Sequence, residues 1–172
     1  GRVVRPSDLK EPKRIVYAQC VGSRNERRNV YCSRICCMYA AKQARQLKEK
    51  HPEMEVYVFY IDVRAFGKGF EEFYEKTCRE YGVQFIRGRI AEINEDPETK
   101  NLAVKAEDTL LGRPVELEAD IVVLSVGITP SQDTKAIQNV LKIPVGADGF
   151  FLEAHPKLRP VDTTVDGIFV CG

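Results

Sequence analysis

The order of apolar runs predicts an α/β fold, a mostly parallel sheet with a small antiparallel β-meander attached. Three observations carry this. Two strand–helix–strand units follow each other between residues 14 and 86, and parallel pairing needs such crossovers. From 89 to 118 the chain switches to short alternating or β-branched segments. Residues 120–125, around the apolar run 121–124, then read as one more continuous buried strand.

Residues 1–13 are polar, contain Pro6 and Pro12, and read as an entering linker. Residues 15–18 form a short apolar strand that leads into a loop at 21–29 rich in Gly, Asn and Arg. From 33 to 50, Ile35, Met38, Tyr39, Ala41, Ala44 and Leu47 recur at helical spacing. Ser33 is the expected N-cap, Lys48 and Lys50 suit the last turn, and Pro52 closes the helix. Residues 54–61 are nearly continuously apolar, as expected of a buried parallel strand, with Tyr57 and Tyr60 packing against flanking helices. A second amphipathic helix is expected at 70–81, after Gly67 and Gly69 and stopped by Gly82. A third strand follows at 83–86. Segments 89–94, 102–107 and 115–118 make the meander, with turns at Asp96–Pro97 and at 111–114. The run 120–125 closes this domain, and 167–171 reads as a strand with Cys171 in its core.

A length of 172 residues suits one well-buried domain with a fragment of a second. The apolar share of 44% and charged share of 30% are ordinary for a globular chain. A net charge of +1 gives no field that points to nucleic acid or an anionic membrane. The longest apolar run near the end, 121–124, is far too short for a membrane span, and no signal-peptide pattern opens the chain. A cytoplasmic protein is expected. The absence of an initiator Met, and an end directly after the run 167–171, read as a piece cut from a larger protein.

Four of the six cysteines fall at Cys20, Cys32, Cys36 and Cys37, separated by eleven, three and zero residues. A strand end and a helix start bring four soft ligands together, which describes a metal or cluster site. Cys32 and Cys36 would share a helix face, but Cys37 is turned about 100° from Cys36. All three converge only if the first turn is distorted or Cys32 precedes the helix. A [4Fe–4S] cluster takes four cysteines, though this spacing departs from ferredoxin patterns. A helix N-terminus favours thiolates, and Arg24, Arg27, Arg28 and Arg34 would offset their charge. The same residues also admit a dithiol–disulfide pair (Cys36 with Cys37, or Cys32 with Cys36), a structural zinc ion, or four idle buried thiols. Cys78 and Cys171 read as small core residues, and His51 and His155 as surface or loop groups.

In such a fold, the loop after the first strand lies where nucleotides bind, and it needs G-x-G-x-x-G to approach a pyrophosphate. Here that loop begins Gln19, Cys20, Val21, Gly22, Ser23, so cysteines stand where the glycines belong. Asp62, at the place of a ribose-binding acid, reads as a polar strand end. The order of elements resembles the Rossmann-like pyridine-nucleotide domain of two-domain flavoprotein disulfide reductases of thioredoxin-reductase type. The run ADIVVLSVGITP at 119–130 resembles the crossing back toward the FAD domain, and TTVDGIFVCG at 163–172 resembles the second FAD motif. The runs CVGSR at 20–24 and YCSRICCMYA at 31–40 are similar to the A-subunit family of heterodisulfide reductases, iron–sulfur flavoproteins of anaerobes.

That resemblance implies an α/β domain at 14–127 carrying the cysteines and, at 128–172, a partial return into an FAD-binding domain. It implies an oxidoreductase that passes electrons between FAD and iron–sulfur clusters in CoB–CoM heterodisulfide reduction or a related reaction. Cys20, Cys32, Cys36 and Cys37 would ligate the cluster, and Gly127, Thr129 and Gly172 would frame the flavin of the complete protein. FAD is not expected on this fragment alone. Implied partners are other subunits of this type, an electron-donating hydrogenase or dehydrogenase, and ferredoxin. The alternatives are a dithiol-using pyridine-nucleotide oxidoreductase fragment, or a docking domain with a structural zinc site.

Overall fold

The computed structural model describes residues 2–171. By its internal contacts the chain divides into two units, Gly1–Gly127 and Ile128–Gly172. In the first unit the elements run β1 (Arg14–Val21), α1 (Cys36–Lys50), β2 (Glu55–Tyr60), α2 (Phe70–Arg79) and β3 (Gln84–Arg87). There follow β4 (Ile90–Glu95), β5 (Leu102–Asp108), β6 (Arg113–Ala119) and β7 (Ile121–Val126). One sheet has the order β3-β2-β1-β7, parallel throughout, and a second has the antiparallel order β4-β5-β6. The mostly parallel α/β sheet with its meander is therefore what forms.

The alternation of side chains along β1 builds two cores at once. Ile15 and Tyr17 face α1 and pack with Ala40, Ala44, Met54, Val56, Val58 and Val83. Val16 faces the other way, with Phe59, Val104, Ala106 and Ala119. Strands covered on both faces must be apolar at every position, which explains the continuous run of β2. Ala40, Ala41 and Ala44 are fully buried, so small side chains let α1 lie close to the sheet. Gly88 makes the turn into the meander, where a Cβ would stand 1.8 Å from the Glu107 carbonyl oxygen.

Several expectations need correction. Helix α1 begins at Cys36 with Ile35 as N-cap, not at Ser33, because Arg34 sits in the left-handed region at φ 68° and breaks the helical path. Tyr57 packs on the meander side of the sheet rather than against a helix. Pro114 belongs to β6 rather than to a turn, which is tolerated because β6 is an edge strand. Strand β7 is not fully buried: it is the other sheet's edge, and Leu124 and Val126 are exposed. The expected linker, in its described residues 2–13, lies on the fold, with Arg5 buried and donating to Asp120 at 3.2 Å and to the Thr99 carbonyl at 2.9 Å.

The second unit holds an unforeseen helix, α3 (Thr134–Leu141), although Ile137, Val140 and Leu141 carry helical spacing. The expected strand at 167–171 does not form. Its described residues give only an isolated bridge between Asp162 and Phe169, and Cys171 is exposed rather than a core residue. Among the described residues, no helix is long and apolar enough to cross a membrane.

Candidate metal centre

Strand β1 does not run straight into its loop. Its pairing with β7 shifts between Ala18 and Val21, so Gln19 and Cys20 together oppose Ser125. Cys20 takes a left-handed backbone conformation, φ 60°. That costs a non-glycine residue about 1–2 kcal/mol and re-aims its side chain, as bulges beside functional sites do.

The loop that follows is folded on itself. The Ser23 hydroxyl donates to the Tyr31 carbonyl at 2.8 Å, and the Arg24 amide donates to the same oxygen at 3.1 Å. Asn29 donates through its backbone and side-chain nitrogens to the Gly22 carbonyl. From outside, the Arg89 guanidinium donates to the Ser23 and Arg24 carbonyls at 2.9 and 3.0 Å. The Arg24 guanidinium meets Asp62 at 2.8 Å, and Arg64 meets the other Asp62 oxygen at 2.7 Å. Burial pushes the Asp62 carboxyl up, but the hydrogen bonds from Arg24 and Arg64 outweigh it and hold the group below its ordinary value. Asp62 is thus the clamp of the cysteine loop, a role hidden when it is read as a polar strand end.

This loop returns Cys32 to the start of α1. Because Arg34 breaks the helix before it starts, Cys32 stays outside and the 100° mismatch between Cys36 and Cys37 does not bar convergence. The Arg34 amide donates to the Cys32 sulfur at 3.3 Å. Cys36 and Cys37 are buried in the first turn, and the Cys37 thiol lies 3.7 Å from the Asp62 carbonyl. The α1 N-terminus has no side-chain cap and no acidic residue in its first turn, so its positive end is left for an anionic group. Beside Cys32, a cavity of about 220 Å³ is walled by Arg34, Arg64 and Phe66.

The four thiols lie near enough to act on one another. Burial raises the Cys20 pKa, Cys37 raises it further, Arg24 opposes this, and Cys32 and Cys36 add to the rise. Burial likewise raises Cys37; the Arg64 amide opposes it, and Cys32, Cys36 and Asp62 raise it again. Metal ligation by Cys20 and Cys37 would displace the protons that burial favours on them. All six cysteines are free thiols. Among the described residues, no three or more His, Cys, Asp or Glu side chains are arranged to hold a single metal ion. A zinc ion with Zn–S of about 2.3 Å needs its thiolates to close on one point, whereas a cluster spreads them over several irons.

Buried polar atoms without a hydrogen-bond partner collect at this same place: Nε2 and Oε1 of Gln19, Nη1 of Arg24 and Oγ of Ser125. The Tyr39 hydroxyl lies near Ser125 and Cys36, close enough for both to act on its ionisation, without a well-formed bond to Ser125. Buried groups of this kind normally find partners. Four thiols from three backbone segments, an uncapped helix N-terminus and the orphaned N–H and O–H groups of Gln19, Arg24 and Ser125 would suit an anionic iron–sulfur cluster. Gln19, Asp62, Ser125 and Arg89 are the site residues that sequence reasoning missed or misread. Arg89 lies 66 residues from Ser23 and carries no local signal.

Of the residues expected to frame a flavin, Gly127 directly follows β7 and donates its amide to the Val21 carbonyl at 2.8 Å. A Cβ there would meet Ser23 Cβ at 3.2 Å. Thr129 is exposed and lies in the second unit, and Gly172 lies outside the described residues.

Comparison with known proteins gives consistent matches. The family described as pyridine nucleotide-disulphide oxidoreductase matches residues 33–172. Over the whole chain the sequence is 63% identical to the second iron-sulfur A-subunit of CoB–CoM heterodisulfide reductase from Methanopyrus kandleri. It is 56% identical to the A-subunit of the H2/formate:CoB-CoM heterodisulfide,ferredoxin reductase from Methanococcus maripaludis. The chain spans 26% of the length of each. Thioredoxin reductase of T. acidophilum superposes with a TM-score of 0.57 at 18% identity, covering 93% of this chain and 43% of that one.

Proposed function

The chain belongs to the pyridine nucleotide-disulphide oxidoreductase family, and on that footing we propose that Cys20, Cys32, Cys36 and Cys37 hold a [4Fe–4S] cluster. The segment then serves electron transfer within an iron–sulfur flavoprotein like the heterodisulfide reductase A-subunit. One observation carries this reading: four free, mutually interacting thiols stand around a strained bulge ringed by orphaned polar atoms. When bound, such a cluster exchanges electrons at a potential tuned by charge, hydrogen bonds and solvent exposure.

The chain's own residues prepare that place. Arg24 brings positive charge beside Cys20, and the Arg34 amide donates to the Cys32 sulfur. The bulge turns Cys20 off the strand axis, and the buried first turn of α1 shields Cys36 and Cys37 from water. The Asp62 and Arg89 clamps fix the loop beforehand, so binding does not have to order it.

In the whole protein, Gly127, Thr129 and Gly172 line the flavin, and FAD is held there rather than by this segment alone. The partners in this reading are further subunits of heterodisulfide-reductase type, a hydrogenase or dehydrogenase as donor, and ferredoxin. The names of the relatives support this, since one is named for dihydrogen, formate and ferredoxin. Anaerobic reconstitution with iron and sulfide tests the central claim. The expected result is about four irons per chain and a broad absorption at roughly 400 nm that bleaches on reduction. Stoichiometric zinc without iron, or unchanged iron after all four cysteines become Ser, overturns it.

A further inference from the structure

Gln19 is the least explained residue of the site. It is only 8% exposed, and neither its amide nitrogen nor its oxygen has a hydrogen-bond partner. Leaving a buried amide unpaired costs about 1–3 kcal/mol, which a fold seldom tolerates without a use for it. Its direction follows from the strand. Ile15 and Tyr17 face α1, and strand alternation carries Gln19, two residues further and the first residue of the bulge, to that same buried face. Helix α1 runs back along β1 in the opposite sense, with Ala40 and Ala44 over Ile15 and Tyr17. Its first turn, with Cys36 and Cys37, therefore lies toward the carboxyl end of β1, where Gln19 and Cys20 are. Ser125, opposite the bulge, adds a second orphaned group there.

We infer that the Gln19 side-chain amide donates its N–H to a sulfur of the bound cluster and so sets the cluster's reduction potential; this rests on the cluster reading above. The physical reason is charge. Reduction makes the cluster more negative, so a donor to its sulfur stabilises the reduced form more than the oxidised one and raises the potential. Gln19 has no thiol and ligates nothing, so its role is separable from assembly.

The experiment compares the reconstituted chain with Gln19→Leu and Gln19→Glu by iron content, redox titration and pulsed EPR. Both variants are expected to hold the same iron as the parent, with midpoint potentials shifted to more negative values. The Glu variant shifts further as its carboxyl ionises. Parent protein with 15N in glutamine side chains is expected to show a nitrogen coupling to the reduced cluster that Gln19→Leu lacks. Full iron with unchanged potentials overturns the inference and leaves the cluster intact, while a parent without iron overturns both readings. Should Gln19→Leu fail to fold or load, the Glu variant and the coupling in the parent decide. Absence of that coupling counts against Gln19.

Discussion

The two ends of β1 are built to opposite standards. At the amino end Asp120 accepts the Lys13 and Arg14 amides, both at 2.8 Å, and the Arg5 guanidinium at 3.2 Å. Arg14 reaches across to Glu55 and to the Glu118 carbonyl. Most donors and acceptors are paired there, with Arg5 Nε the exception. At the carboxyl end, the strand bulges, Cys20 takes a left-handed conformation and buried polar atoms lack partners. One strand thus carries a finished end that holds the fold and an unfinished end that the proposed cluster would complete. Positive φ also occurs away from the site, at Leu9, Lys100 and Lys142, so at Cys20 it is strain together with orphaned buried groups that points to function.

The largest effects should come from the unfinished end. Changing any one of Cys20, Cys32, Cys36 or Cys37 to Ser is expected to remove most of the iron after reconstitution. Cys78→Ser and Cys171→Ser should retain it; iron and sulfide analysis reads the difference. The finished end should respond in the other variable. Asp120→Ala removes three charge-assisted hydrogen bonds and should cost about 2–4 kcal/mol. That corresponds to a drop of roughly 5–12 °C in the apo chain's melting temperature, with iron per folded chain unchanged. Cys20→Gly tests the contrast most directly. Glycine adopts φ 60° without penalty, so the apo chain should gain about 1 kcal/mol of stability in denaturant titrations while losing iron. A variant that is both less stable and iron-free would mean that Cys20 is held by packing, and the division between the two ends would fail.

How far the sequence discloses this division depends on distance along the chain. Apolar periodicity marks β1, α1 and β2, and cysteine spacing alone names the four thiols, because those signals lie within a few residues. The bulge does not show in composition: it comes from a register shift against β7, about a hundred residues away. The late start of α1 hides for a related reason. Ser33 looks like a cap, but Arg34 at φ 68° rules out helix there, and nothing local demands a positive φ from an arginine. Asp62 is visible at the end of β2, yet its meaning lies in Arg24 and Arg64. The apolar run of β7 reads as a strand buried on both faces, while among the described residues β7 is a sheet edge with Leu124 and Val126 exposed. At 167–171 the same kind of run makes no strand, because apolar content says nothing about whether a pairing partner is present.

The smallest expected effect separates the two ends by acid. The Glu55 carboxyl is held below its ordinary value of 4.5, first by the hydrogen bond from Arg14, against an opposing push from burial. A carboxylate with a lowered folded pKa contributes stability that is fully present above its unfolded value and is lost as pH falls through the folded one. Glu55→Gln should therefore lower stability by a constant small amount from neutral pH down to about pH 5. As the pH falls on through the lowered folded pKa the two proteins should converge, since the wild-type carboxylate is then protonated as well. The side chain is 46% exposed, so solvent screening keeps the difference under about 1 kcal/mol. Chemical denaturation of the apo chains across this range measures it. A difference that persists unchanged at low pH would show that Glu55 acts through packing and not through its charge. At the amino end of β1 the carboxylate that matters for its charge would then be Asp120.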